Sequence, residues 1–299
     1  MDMLRITGLQ KRFGDKAVLQ GLDLTVPEGS IFGFIGKNGA GKTTTMKTIL
    51  GLLKADAGQI TVNGEAVTYG HTATNRHIGY LPDVPNFYPF MTAREYLQFC
   101  GEISGLDRAD CNARCAELLE LVGLAGETHR IKGFSRGMNQ RLGIAQALLT
   151  RPKLLICDEP TSALDPVGRK EILDILLAVR SQTTVLFSTH ILSDVERVCT
   201  DVALLDNGVI CLQGKLSDMK SRFRSEEYYL ETERSADLQQ LMQTFPRMQQ
   251  IGQNLLSFRN KDHAVSDVLG FLAERAIPIL KLERMEPSLE SLFMEVTHP

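Results

Sequence analysis

Residues 36–44 read Gly-Lys-Asn-Gly-Ala-Gly-Lys-Thr-Thr, between an apolar, strand-like run at 30–35 and a helix-like run at 43–53. Strand, glycine-rich loop and helix in that order constrain the fold more than any other feature of the chain. They are the setting in which G-x-x-x-x-G-K-[ST] binds nucleotide phosphates. Gly36, Gly39 and Gly41 can turn sharply and, lacking side chains, let backbone N–H groups approach anionic oxygens. The helix start beyond them adds free donors and partial positive charge. Lys42 supplies a full charge for the β- and γ-phosphates, and the Thr43 hydroxyl can ligate Mg²⁺. Lys37, Asn38, Ala40 and Thr44 complete the segment expected to lie against the nucleotide phosphates.

Composition narrows the class. The 299 residues are 43% hydrophobic and 23% charged, ordinary globular values, and the length suggests about two domains. No run approaches the ~18 apolar residues that mark a membrane-spanning helix. The first residues, Met-Asp-Met-Leu-Arg, lack the regions of a signal peptide. A cytoplasmic chain is therefore expected, associated with a membrane only through a partner. The net charge of −3 carries no footprint for nonspecific nucleic-acid binding. Among six cysteines, Cys111 and Cys115 have helical i, i+4 spacing, but no His or Cys follows at a ligand-like interval. Buried free thiols are the expectation.

Organisation follows from periodicity. Residues 4–26 read as short strands with a turn near Gly14 and Asp15, and 59–64 as a strand ending in an Asn-Gly turn. Between 92 and 150 the pattern becomes helical, in three stretches. Apolar strands return at 154–157, 184–188 and 202–205, with a helix-like stretch at 167–180 between the first two. Such strands alternating with helices indicate an α/β fold with a parallel sheet covered on both faces. A helical block at about 88–150 is then an insertion into a first domain, 1–219. Beyond it the composition turns polar and Gln-rich, and 220–299 is expected to be a small α/β appendage. Its alternating patterns include 228–230, 238–245 and 255–258. A helix is expected at 265–276, a strand at 279–282, and a last helix from 288 with Leu289, Leu292, Phe293 and Val296 on one face.

The apolar run 154–157 delivers two adjacent carboxylates, Asp158 and Glu159. Strand ends are where parallel-sheet proteins bind ligands. Asp158 can hold Mg²⁺ as the partner of Thr43. Glu159 can polarise the attacking water.

With these residues in order, the chain over residues 4–215 resembles the nucleotide-binding subunit of an ATP-binding cassette (ABC) transporter, a P-loop NTPase with a mixed-sheet core. Phe134-Ser135-Arg136-Gly137-Met138-Asn139-Gln140-Arg141-Leu142 occupies the place of the family signature, commonly Leu-Ser-Gly-Gly-Gln. Ser162-Ala163-Leu164-Asp165 looks like the D-loop and Ser188-Thr189-His190 like the switch-histidine motif. Phe13 lies where the family stacks an aromatic on adenine, and Val18 where an apolar residue flanks the base. The resemblance implies ATP and Mg²⁺ as cofactors and hydrolysis between two subunits in a head-to-tail dimer. Ser135 and Gly137 would reach ATP held by the partner subunit, and Asp165 would link the two sites. His190 would hold the water and Glu159 in line, with Lys42 on the phosphates.

Two departures stand out. Arg136 replaces the first signature glycine, where its side chain would either add positive charge near the γ-phosphate or, the favoured reading, point to solvent. Asp83, in Tyr80-Leu81-Pro82-Asp83, stands where the Q-loop normally places Gln, which contacts Mg²⁺ and couples to the membrane subunit. Asp83, shorter and charged, is a cofactor- and metal-site candidate that would either reach the metal through a water or have lost the role. The signature resembles the branch of drug and antibiotic exporters with separately encoded membrane subunits, which implies a transmembrane permease partner and a place on the inner face of the cell membrane. Residues 83–94, rich in Pro and aromatics, would form the groove for it, or would pack against the helical insert. The other readings are a soluble ABC ATPase acting on ribosomes or DNA, a regulatory protein without turnover, and a P-loop kinase. One P-loop and no coiled-coil run weigh against the first, an intact Lys42, Asp158, Glu159 and His190 against the second, and a dimer-type signature against the third.

Overall fold

The computed structural model describes residues 1–71, 73–222, 227–285 and 289–290. They form two compact units, one of Met1–Ser217 and one beginning at Asp218. In the first, strands β1 (Asp2–Phe13) and β2 (Lys16–Pro27) make a long hairpin. Alternate residues Leu4, Ile6, Leu22, Leu24 and Val26 are buried, the period of two that a half-buried sheet demands. The expected short strands are thus two of 12 residues each, because β-bulges keep the pairing going where the register shifts. Strand β3 (Ile31–Ile35) is buried throughout and leads into α1 (Lys42–Ile49). Strands β4 (Ala57–Val62) and β5 (Glu65–Ala66) complete an antiparallel sheet of order β2-β1-β4-β5, turning at Asn63 and Gly64, both at positive φ.

Strand β6 (Ile78–Leu81) precedes helices α2 (Ala93–Ile103), α3 (Arg108–Leu121) and α4 (Arg136–Leu148). Thr92 and Glu95 cap α2 reciprocally. Strand β7 (Leu154–Asp158), helix α5 (Pro166–Val179), strand β8 (Thr184–Thr189), helix α6 (Leu192–Val198), strands β9 (Asp201–Asp206) and β10 (Val209–Lys215) and helix α7 (Leu216–Arg222) follow. The second sheet has the order β10-β9-β3-β8-β7-β6, parallel except for β10. Its central strands β3, β7 and β8 are buried at every residue, which is why they read as unbroken apolar runs. Helix α1 lies in the core between the two sheets, Met46 and Ile49 packing with Leu4, Leu24, Phe34 and Ile156.

The second unit has strands β11 (Glu227–Thr232), β12 (Gln249–Gln250), β13 (Leu255–Arg259) and β14 (Ile279–Arg284) in the antiparallel order β12-β13-β11-β14. Helices α8 (Ser235–Thr244) and α9 (Val265–Glu274) bury Leu238, Leu241, Val268 and Leu272 with Leu230, Leu256 and Phe258 of the sheet. Residues 238–245, read from sequence among the alternating patterns, are therefore mostly helical. Leu238 and Leu241 sit at i, i+3, a spacing that puts both on one helix face. Of the helix expected from 288, only Leu289 and Glu290 fall within the described residues; Leu292, Phe293 and Val296 lie outside them. Cys111, Cys115 and Cys157 are buried free thiols as expected, whereas Cys211 is exposed.

Candidate functional site

The parallel sheet brings its strand ends to one edge, where the chemistry-bearing residues collect. Gly36 closes β3 with no room for a side chain, since a β-carbon there would lie 2.7 Å from the Leu205 carbonyl oxygen. Gly39 and Gly41 have φ of 83° and 116°, the left-handed region that favours glycine. The loop thereby curls back over Lys42, whose side chain is 5% exposed. Its Nζ donates to the Gly36 and Lys37 carbonyl oxygens at 2.6 and 3.3 Å and lies 3.0 Å from Glu159 Oε1. Ala40 is buried beneath the loop, while Lys37 and Asn38 face solvent.

Next to β3 in the sheet, β8 and β7 deliver the rest. Thr43 Oγ1 donates to Asp158 Oδ2 at 2.8 Å, and Ser188 Oγ donates to Asp158 Oδ1 at 2.7 Å. Glu159 adopts a left-handed φ of 50°, a conformation costly for a non-glycine residue. Its N–H is held by the Ser188 backbone oxygen at 3.2 Å and by Ser188 Oγ at 3.0 Å. Glu159 Oε2 meets His190 Nδ1 at 2.9 Å, and the buried Oε1 is ion-paired with the Lys42 ammonium and has no further hydrogen-bond partner among the described residues. Val18, Asn38, Thr44, Asp83 and Ser162 join these residues around one cleft.

The residues fit a magnesium nucleotide. Thr43 and Asp158 offer hard oxygen donors side by side, suited to Mg²⁺. The buried Lys42 ammonium, held by Glu159 Oε1 and the loop carbonyls, is a charge suited to phosphate oxygens. Asp83 sits at the rim. Burial raises its pKa and the Asp158 and Glu159 carboxylates push the same way, against the Arg136 guanidinium. Tyr80, behind it, is pushed up to about 12 by burial and by Asp158.

Other predicted residues lie elsewhere. Phe13, half exposed at the end of β1, has the Lys11 ammonium 5.3 Å from its ring centroid and is not part of the cleft wall. Ser135 caps α4, its Oγ accepting from Met138 N–H at 3.2 Å, and Gly137 follows in that first turn. Asp165 caps α5 through Gly168 N–H. None of these three lines the cleft of its own chain. Arg136 does not point freely to solvent. Its Nε donates to the Ser162 carbonyl at 3.1 Å and its Nη2 to Asp83 Oδ1 at 3.3 Å, because the turn after β6 brings an acidic partner within reach. In residues 83–94, Phe87 packs edge-on against Tyr96, whereas Tyr88 and Phe90 remain about half exposed or more. Sequence reading also missed Ser188, which bridges Asp158 and Glu159, and Gln140, which donates to the Asp83 carbonyl at 2.7 Å. A buried hydroxyl ending the strand beside an Asp-Glu strand was the available signal for Ser188.

Comparison with known proteins bears on this arrangement. Residues 19–162 match the family described as ABC transporter. An uncharacterized ABC transporter ATP-binding protein of Bacillus subtilis, YxlF, is 38% identical over 99% of this chain and 100% of its own length. The chain belongs to the ABC transporter ATP-binding proteins. This cassette is also 41% identical to the bacitracin transport ATP-binding protein BcrA of Bacillus licheniformis, over 77% of this chain and 74% of that one. A solved ATP-binding subunit of an ABC transporter superposes with a TM-score of 0.66 and 33% identity, covering 74% of the cassette chain and 93% of that structure. Residues 214–297 match the C-terminal domain of DrrA1-3-like ATP-binding proteins, in keeping with the drug- and antibiotic-export branch. The fold is that of a nucleotide-binding P-loop NTPase of the ABC type.

Proposed function

We propose that this cassette hydrolyses ATP to drive an exporter whose membrane-spanning part is a separate chain. The observation that carries the reading is the convergence of Lys42, Thr43, Asp158, Glu159 and His190 within hydrogen-bond or ion-pair reach in one cleft. In the proposed reaction water adds to the γ-phosphorus of ATP as the bond to the β,γ-bridging oxygen breaks, giving ADP and phosphate. Lys42 binds the β- and γ-phosphate oxygens, together with the backbone N–H groups of residues 37–44. Thr43 and Asp158 would hold Mg²⁺, which neutralises charge on the phosphates when bound. Glu159 orients the attacking water and accepts its proton, and His190, donating to Glu159, holds that carboxylate in line. Phe13 and Val18 flank the adenine.

Ser135 and Gly137 belong to the second half of the mechanism. Exposed or half-exposed at the start of α4, they are free to meet ATP on a second copy, with Asp165 at the shared interface. The exposed side chains of Val84, Tyr88 and Phe90 make the surface for the permease. No helix among the described residues is long and apolar enough to cross a membrane, in keeping with a peripheral place on the inner face through that partner. The BcrA likeness and the DrrA-like C-terminal match favour an exported drug or antibiotic as cargo.

The test is affinity purification of a tagged Glu159→Gln chain from detergent-solubilised native membranes in the presence of ATP. A stoichiometric multi-spanning protein among the co-purifying chains is the expected result. Recovery from the soluble fraction alone, or with ribosomes, would refute the exporter assignment.

A further inference from the structure

One face of α4 is built onto the segment that runs from β6 into the cleft. Arg136, Gln140, Gly143 and Ala147 recur at i, i+4, i+7 and i+11, a single helical stripe. Towards the far end the approach is close. A β-carbon on Gly143 would collide with Leu81, and one on Gly79 with the Ala147 carbonyl oxygen. At the cleft end the contacts become polar. Gln140, 1% exposed, donates its Nε2 to the Asp83 carbonyl at 2.7 Å, while its Oε1 is buried without a partner among the described residues. Arg136 then divides its guanidinium between the Ser162 carbonyl oxygen and Asp83 Oδ1. Asp83 and Ser162 come from two different loops, and both line the cleft.

A planar guanidinium with five donors can hold two acceptors at once in fixed directions, which an ammonium cannot. Among the described residues, the Arg136 guanidinium is the cation that offsets the Asp158 and Glu159 carboxylates at Asp83. Both partners are nearly half exposed, so the pair is weak and breakable, a latch and not a source of stability. We propose that Arg136 is a positioning residue that holds the loops of Asp83 and Ser162 in one arrangement at the mouth of the nucleotide cleft. Its pairing makes the two departures from the common motifs, Arg136 and Asp83, a single coupled unit. The assignment rests on the ATPase reading for its purpose, but its geometry does not depend on turnover.

Amide hydrogen exchange on the nucleotide-free full chain tests it, with the amides of α3 as a folding control. Arg136→Gln should speed exchange in 83–86 and 161–165 about two- to fivefold, the range an exposed ion pair supports. Asp83→Asn should do the same in 83–86, and the double variant should add nothing there beyond either single change, the mark of coupled residues. Arg136→Lys, which keeps the charge, should still loosen 161–165. In Mg-ATP turnover each single variant should lower kcat more than it changes KM, again without additivity. Additive exchange effects, or unchanged exchange at 161–165 in Arg136→Gln, would overturn the positioning role. A wild-type chain that bound no ATP would instead overturn the ATPase reading and leave the exchange cycle intact.

Discussion

Ser188→Ala removes the one hydroxyl among the described residues that bonds to both Asp158 and Glu159, the proposed metal-holding and catalytic carboxylate residues. Ser188 is fully buried and Asp158 is 2% exposed, so the lost contacts are not replaced by bulk water. The Oγ donates to Asp158 Oδ1 at 2.7 Å, a bond to a charged group of the kind worth about 1.5–3 kcal/mol. It also accepts from Glu159 N–H at 3.0 Å, but that donor keeps the Ser188 backbone oxygen at 3.2 Å, so this loss adds less than about 1 kcal/mol. The expected destabilisation is therefore about 2–3 kcal/mol. For a unit of this size that corresponds to a fall in melting temperature of about 5–10 °C. Thermal unfolding of the full chain measures it. The same substitution frees Asp158 on one side and loosens the strained turn at Glu159, so kcat should drop about tenfold or more. ATP affinity should stay within about twofold, because the loop around Lys42 is untouched and only the groups facing the reacting phosphate are displaced. A variant within about 0.5 kcal/mol of wild type, with unchanged kcat, would refute the bridging role.

Glu159→Gln should retain ATP binding and lose about 10²–10⁴-fold in turnover, measured as phosphate release. Size-exclusion chromatography with ATP should show that variant as a dimer, and hydrolysis at the wild-type rate would remove Glu159 from its assigned role. Lys42→Ala deletes the buried ammonium bound to the Gly36 carbonyl and facing Glu159. Calorimetry should find ATP binding weakened about 10- to 100-fold, the loss of one charge-assisted contact, and equal affinity would contradict the loop assignment. Gly79→Ala should cost about 1–3 kcal/mol in urea unfolding, since its β-carbon meets the Ala147 backbone carbonyl, which cannot rotate away.

Much of the site was legible because its chemistry is local. The loop at 36–44, the Asp158-Glu159 pair and His190 each stand where a strand ends, and the apolar runs announce those strands. The central strands were readable since burial on both faces leaves no polar residue to blur them. The ends of the sheet were harder. Strand β6 has four residues, and β10 alternates exposed and half-buried positions with no buried face, so neither carried a strong periodic signal. The 238–245 segment was misread because two leucines three apart in a Gln-rich stretch satisfy neither period decisively.

The nucleotide-binding class is written in local sequence, since a strand, a glycine-rich turn and a helix bearing Lys42 and Thr43 have few other uses. Which residues from distant stretches share a charge or a proton emerges only once the chain is packed. Ser188 was just the first residue of a motif until parallel pairing of β7 with β8 set it opposite Asp158. Arg136 and Asp83, 53 residues apart, were two separate oddities until α4 packed onto the end of β6 and brought them together. Strand register and helix packing set distances to within an ångström, and hydrogen bonds and ion pairs depend on distances at that scale.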